Sequence, residues 1–366
     1  MEASVPENRP TPSVTLRMLN PSAQLGVLTG AHDTFREVID RQIATRTDLA
    51  SVWSSFGRVA PTFYGSGHHW MSHPQQFADP WTILGYVAAA WPEAHLNSGF
   101  IQLPLFSPID VAEKVVTIDR LARAGATFVV GLGWRPEEFA AAGTNVKYRV
   151  SRFEEIVETC RALWAGEEVP PGRHFTVAGR LGALPREDPT LVFGVQSPAA
   201  ARRAARLADG LNVSWVMDHD SFRRINDAYR EELHSLGRPA PRYWALSKFV
   251  SVDEDDARAR ARLDRMTTMF DWYSRATTWT SADVNVNIAR EREAQDRTIT
   301  GTAASVVEQL VPHATEFPYT DLLLTWLAPG TDPAENREHF AYLCESVVVP
   351  LLDELAVPAE ARTLRI

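Results

Sequence analysis

Apolar residues recur along this chain in two alternating rhythms. Short runs dense in Val, Ile, Leu and Phe are followed by longer stretches in which apolar positions return every three or four residues. The short runs predict strands over residues 23–28, 50–56, 95–103, 127–131, 190–195, 210–214, 242–252 and 320–327. The longer stretches predict a helix opened by Asp33, then helices over 79–90, 108–124, 149–164, 198–208, 220–236, 255–273, 303–313 and 333–355. Phe35, Val38, Ile39 and Ile43 share one face of the first helix, and Val111, Val115, Ile118 and Leu121 one face of the third. The run 127–131 is nearly all apolar, as expected of a parallel strand covered on both faces.

Eight strands alternating with helices, without a break in composition, predict an α/β chain folded as a single (β/α)8 TIM barrel with insertions at its C-terminal mouth. A doubly wound open sheet would carry a GxGxxG turn after its first strand, and Leu25-Gly26-Val27-Leu28-Thr29-Gly30 lacks one. The expected organisation is a flexible lead-in over 1–22, rich in Pro and Ser, a barrel over 23–357 and a tail over 358–366. Two stretches exceed an ideal connection, 57–78 and 277–300, and are expected over the mouth.

Composition narrows the function classes. The 366 residues are 45% hydrophobic and 23% charged, as in a globular protein, and no apolar run approaches the roughly 20 residues of a membrane span. A net charge of −9 without a basic stripe argues against a nucleic-acid partner. Lys114, Lys147 and Lys248 are the only lysines, a bias read as coding preference for arginine. Cys160 and Cys344 are too few for a disulfide framework or a zinc site. Buried free thiols and a cytoplasmic location are expected, the more so because the N-terminus has no apolar signal region.

Several residues could carry chemistry. His68 and His69 sit in the glycine-rich segment Gly65-Ser66-Gly67-His68-His69-Trp70 just past a predicted strand, where an imidazole can move a proton near pH 7. A loop histidine bonded to backbone is the ordinary alternative. His68, His69 and His73 lack the HExxH spacing, so no metal is expected. In Val195-Gln196-Ser197-Pro198, Ser197 is a strong N-cap and Pro198 suits the first helical position, leaving free N–H groups that form an anion site. An ordinary capped helix reads the same way. Gly131 and Gly133 allow a flat ring or a phosphate to approach the backbone, or simply close a tight turn. Asn145 and Arg149 are four apart at a helix start, where a guanidinium can hold a phosphate; Arg149 could equally serve a surface ion pair.

Together these motifs resemble the luciferase-like flavin-dependent monooxygenase superfamily, which includes bacterial luciferase, alkanesulfonate monooxygenases and deazaflavin-dependent oxidoreductases. The resemblance is carried by Val130-Gly131-Leu132-Gly133-Trp134-Arg135-Pro136-Glu137-Glu138-Phe139, then Gly143, Arg149, Arg152-Phe153-Glu154-Glu155 and Leu163-Trp164. Leu96-Asn97-Ser98-Gly99, Ser197-Pro198, Ala208-Asp209-Gly210 and the closing Val349-Pro350-Leu351-Leu352 agree, so that it spans roughly residues 23–355. The chain departs from the usual pattern at His68, where an acid is common, at Asn97-Ser98 and at Phe193-Gly194-Val195.

The resemblance implies a flavin across the C-terminal ends of the strands. Asn97, Ser98 and Gly99 would lie beside its ring, often at a bulge, with Gly131, Gly133 and Asn145 nearby. Gln196 and Ser197 would hold the phosphate, with Arg149 reaching it from the other side and Val195 also at the cofactor, and His69, with His68 beside it, would be catalytic. It further implies a monooxygenase using reduced FMN (FMNH2) and O2, through a C4a-peroxyflavin, to oxygenate a small organic substrate. A separate NAD(P)H:flavin reductase is expected, since the chain lacks a dinucleotide fingerprint, and a homodimer is the expected assembly. Two alternatives stand beside it: hydride transfer with coenzyme F-420 on the same barrel, served by Arg58, Arg135 and Arg149, and a non-catalytic binding subunit. Tyr64 and His95 are the remaining acids should neither His68 nor His69 act.

Overall fold

The computed structural model describes residues 12–17, 35–65, 70, 78–213, 217–264, 298–326 and 333–366. Their strands form one curled sheet in which every recorded pairing is parallel. They are β1 (Ser13–Arg17), β2 (Arg58–Ala60), β3 (Thr62–Tyr64), β4 (His95–Asn97), β5 (Ile101–Gln102), β6 (Ala126–Gly131), β7 (Thr190–Val195), β8 (Gly210–Val213), β9 (Tyr243–Val252), β10 (Ile299–Gly301), β11 (Asp321–Thr325) and β12 (Thr363–Arg365). The hydrogen-bonded order is β2-β12-β1-β11-β9-β8-β7-β6-β4-β3, with β10 beside β9 and β5 beside β6.

Helices return the chain between strands, as parallel pairing requires. Their starts follow capping chemistry: Asp79 accepts the Thr82 N–H before Pro80–Ala90, Ser107 caps Pro108–Leu121, and Thr302 caps Ala303–Glu316. Strand residues alternate between two faces. On β7, Leu191, Phe193 and Val195 point to the helices, where the Phe193 ring meets Phe153 edge-on at 4.7 Å between centroids. Val192 points the other way, into a cluster with Val129, Tyr243 and Ala245 inside the curl. Trp53, Trp81, Trp91, Trp164, Trp244 and Trp326 are all buried in the layer between sheet and helices. Cys160 and Cys344 are buried free thiols. Among the described residues no helix is long and apolar enough to cross a membrane.

Three expectations are corrected. Residues 50–56 were expected as a strand, yet 54–56 form a turn and 50–53 belong to the helix Phe35–Trp53. Its buried stripe is Val38, Ile39, Gln42, Arg46, Leu49 and Trp53, and the polar Gln42 and Arg46 within it hide the helical period. Arg46 is buried by donating to Gln42 Oε1 at 3.1 Å and lying over the Phe63 ring at 5.3 Å. Strands β2 and β3 follow within 58–64, inside the stretch expected as a mouth insertion. The lead-in contains β1, whose short S-V-T-L-R alternation is stabilised by pairing with β11 on one edge and β12 on the other. The C-terminal tail supplies β12, with Leu364 and Ile366 buried. The predicted strand at 23–28 and most of the stretch 277–300 lie outside the described residues.

Candidate functional site

β3, β4, β6 and β7 are successive neighbours, so their C-terminal ends share one rim. The rim brings together Gly65, Asn97 to Phe100, Gly131 to Gly133 and Val195 to Ser197. Its centre is an interruption between β4 and β5. Here the Ser98 hydroxyl stands in for main chain, accepting the Val129 N–H at 2.9 Å and donating to the Gly99 carbonyl at 2.8 Å. Asn97 Oδ1 accepts the Gly99 N–H at 3.1 Å. Gly99 has φ +66°, a left-handed conformation that glycine adopts at least cost. The result is a bulge, a device that re-aims side chains at strand ends. Asn97 and Ser98 are both buried, and the bulge replaces the continuous strand expected over 95–103.

The neighbouring loops fit round this bulge. Gly65 donates its N–H to the Asn97 carbonyl at 2.6 Å, and a Cβ there would lie 2.4 Å from the Ser98 carbonyl oxygen. Gly133 has φ +69°, and its Cβ would strike Gln102 Oε1 at 2.3 Å. Gly131 differs, because a Cβ built on it meets nothing within 4 Å. It leaves open space at the rim.

On β7, Val195 is buried among helix-facing residues, so its side chain is core. Gln196 and Ser197 are exposed, and Ser197 caps the helix Pro198–Leu207 by accepting the Ala200 N–H at 3.3 Å. Asn145 is exposed and caps a short turn over Val146–Tyr148, accepting the Lys147 N–H at 3.0 Å. Arg149, half-buried at the start of the helix Arg149–Trp164, donates to the Val146 carbonyl at 3.2 Å. His68 and His69 lie outside the described residues. Trp70, the next residue, donates its N–H at 2.9 Å to Oε1 of the fully buried Glu138.

Two expected contributors sit at the wrong end of the sheet. Arg58 opens β2 and His95 opens β4, so both belong to the N-terminal rim. His95 is a structural residue, bonded through Nδ1 to the Ala124 carbonyl at 3.1 Å and through Nε2 to Thr127 Oγ1 at 2.9 Å, and burial lowers its pKa. Conversely, a small cavity inside the curl is lined by Tyr64, Asn97, Phe100, Asn212, Tyr243 and Leu323. Asn212 accepts the Ser247 hydroxyl at 2.7 Å. The signal that could have found Asn212 and Ser247 is a buried polar residue inside an otherwise apolar strand.

Residues 62–331 match the family model of the luciferase-like monooxygenases. The chain belongs to this family. It spans about half the length of the curated relatives it matches, among them an uncharacterised protein of Mycobacterium tuberculosis, 31% identical over 137 residues, 36% of this chain and 48% of that protein. Its fold is similar to that of a monooxygenase from Streptomyces bottropensis, with TM-score 0.69 and 19% identity over 92% of this chain and 98% of the other. A coenzyme F-420-dependent secondary alcohol dehydrogenase gives TM-score 0.68 and 15% identity over 93% and 99%. The oxygenating constituent of 3,6-diketocamphane monooxygenase from Pseudomonas putida, in complex with FMN, gives 0.59 and 14% over 93% and 98%. These likenesses are likenesses of fold.

Proposed function

We propose that this luciferase-like chain is the oxygenating component of a two-component flavin monooxygenase, taking reduced FMN from a separate NAD(P)H:flavin reductase and placing one atom of O2 into a small organic substrate. The observation that carries the reading is the rim itself: a bulge of buried Asn97 and Ser98 facing the open space at Gly131, with a capped helix start nearby. The sheet is proposed to close as a (β/α)8 barrel around it, supported by the two ends of the hydrogen-bonded order, β2 and β3, being joined through Pro61.

The residues present fit a flavin phosphate and ring. The Ala199 N–H at the start of the helix Pro198–Leu207, where Pro198 has no N–H and the Ala200 N–H is taken by Ser197, and the Arg149 guanidinium would hold the phosphate, and the backbone at Asn97, Ser98, Gly99 and Gly131 would flank the ring. When bound, reduced FMN supplies the electrons that activate O2. The chain's own part is to position the substrate, exclude water and, through His69, hold or deliver a proton.

The coenzyme F-420 reading remains the second proposal, supported by the fold of the alcohol dehydrogenase and by Arg135 and Arg149 on the rim side. Reaction with purified reductase, FMN and 18O2 across candidate substrates decides between them. One labelled oxygen in product is expected; turnover supported by reduced F-420 without label would replace the first reading by the second. Affinity for neither cofactor would leave a non-catalytic binding subunit.

Gly131→Ala tests the cradle separately. The fold should keep its melting temperature, since the new methyl meets no atom, whereas affinity for reduced FMN should fall about tenfold as the methyl occupies the ring's space. Unchanged affinity in an anaerobic titration would move the ring away from Gly131.

A further inference from the structure

The bulge also delivers an aromatic ring. Beyond the left-handed turn at Gly99, Phe100 is half-buried and packs on the cluster of Val129, Val192, Tyr243 and Ala245 inside the curl. It reaches across β6 to β7, where a Cβ added to Gly194 would lie 2.3 Å from Cε1 and 2.6 Å from Cδ1 of the ring. Carbon atoms in contact keep about 3.5 to 4.0 Å apart, so no side chain at 194 is compatible with this ring position. Gly194 shows no left-handed φ that would call for glycine, and glycine within a strand weakens it. The Phe100 ring accounts for its presence. The same ring forms part of the wall of the small cavity that Tyr64, Asn97, Asn212, Tyr243 and Leu323 line.

We propose that Phe100, seated against Gly194, is the floor of the cofactor pocket and sets the depth at which a planar tricyclic ring rests on the rim. The proposal rests on the reading that a flavin or deazaflavin ring binds there. Phe100 is then a positioning residue: it keeps the ring out of the polar cavity lined by Asn97 and Asn212, and in register with the bulge. The ring and the glycine act as one unit. A methyl at 194 must drive the Phe100 ring more than 1 Å from its seat, by the difference between 2.3 Å and ordinary contact, and the pocket loses the depth a bound ring needs. Once Phe100 is truncated, the same methyl meets no atom closer than ordinary contact and is harmless.

The experiment is a double-mutant cycle on the full chain. Wild type, Gly194→Ala, Phe100→Ala and the double variant are titrated anaerobically with reduced FMN and, in parallel, with reduced coenzyme F-420, and each is unfolded in urea. Gly194→Ala is expected to weaken binding by about tenfold or more, Phe100→Ala by a smaller factor, and the double variant no further than Phe100→Ala alone. The stability lost in Gly194→Ala should return in the double variant, which reports the steric pair independently of any ligand. A Gly194→Ala loss that persists undiminished in the Phe100→Ala background would overturn the proposal, because Gly194 would then meet the ligand itself. Wild-type binding with both single variants unchanged would overturn the proposal alone. Absence of binding of either ring to the wild type would overturn it together with the cofactor reading.

Discussion

His69→Ala is expected to lower turnover by about 10²- to 10⁴-fold while leaving cofactor affinity and melting temperature close to wild type, the usual consequence of removing a general acid or base. The chain enters the segment carrying His68 and His69 at Gly65, pinned to Asn97 across the strand ends, and leaves it at Trp70, tied to the buried Glu138. His68→Ala is the internal control. Only one of the two is expected to matter to the rate. A normal rate with a melting temperature shifted by several degrees would make His69 a structural loop residue. Loss of turnover in His68→Ala alone would transfer the role by one position.

What the sequence made legible follows from where local and tertiary signals agree. β7 was expected over 190–195 and is found as Thr190–Val195, because an apolar run there is bounded by Pro189 on one side and by the Ser197 cap and Pro198 on the other. The Gly133 turn stood out because glycine marks unusual backbone, whereas the Asn97-Ser98 dipeptide stood out only through the family resemblance. The failures have a common cause. β1 and β12 are short and carry few apolar residues, and their stability comes from partners more than 300 positions away in sequence, such as Leu322 opposite Val14. The last turns of the helix Phe35–Trp53 were lost because Gln42 and Arg46 occupy its buried face and satisfy each other there. Phe100 was invisible as a site residue: an aromatic in a strand reads as core until Gly194, 94 residues later, is seen to make room for it.

Lys248→Met is expected to stabilise the fold by about 1 to 3 kcal/mol at pH 7, and by much less near pH 10.5. Lys248 lies on the helix-facing side of β9, only 3% exposed, with its ammonium over the Phe222 ring at 5.1 Å. Around it stand Asp218, Glu316 and His313, and His219 bonds His313 at 3.0 Å between their Nδ1 atoms. Burial pushes the Lys248 pKa down to about 8 against the attraction of Asp218 and Glu316. The unfolded chain titrates this group near 10.4, so between the two values the folded state holds fewer protons and stability climbs with pH. Below about 8 the penalty is full, of order 3 kcal/mol from the gap between the two values. Methionine removes the penalty and keeps most of the packing volume, at the loss of the contact with Phe222. His313 works in the same direction on the acid side. Burial first, then Lys248, His219 and Arg223, lower its pKa to about 4, so the stability it contributes is complete above the ordinary histidine value and is lost as pH falls through about 4. Taking away the Lys248 charge should lift the His313 pKa toward the ordinary histidine value, so that the acid loss becomes smaller and ends at a higher pH. Urea unfolding of both proteins at pH 5, 7 and 10.5 measures each step. An equal difference between Lys248→Met and wild type at all three would show that packing, not the buried charge, governs this site.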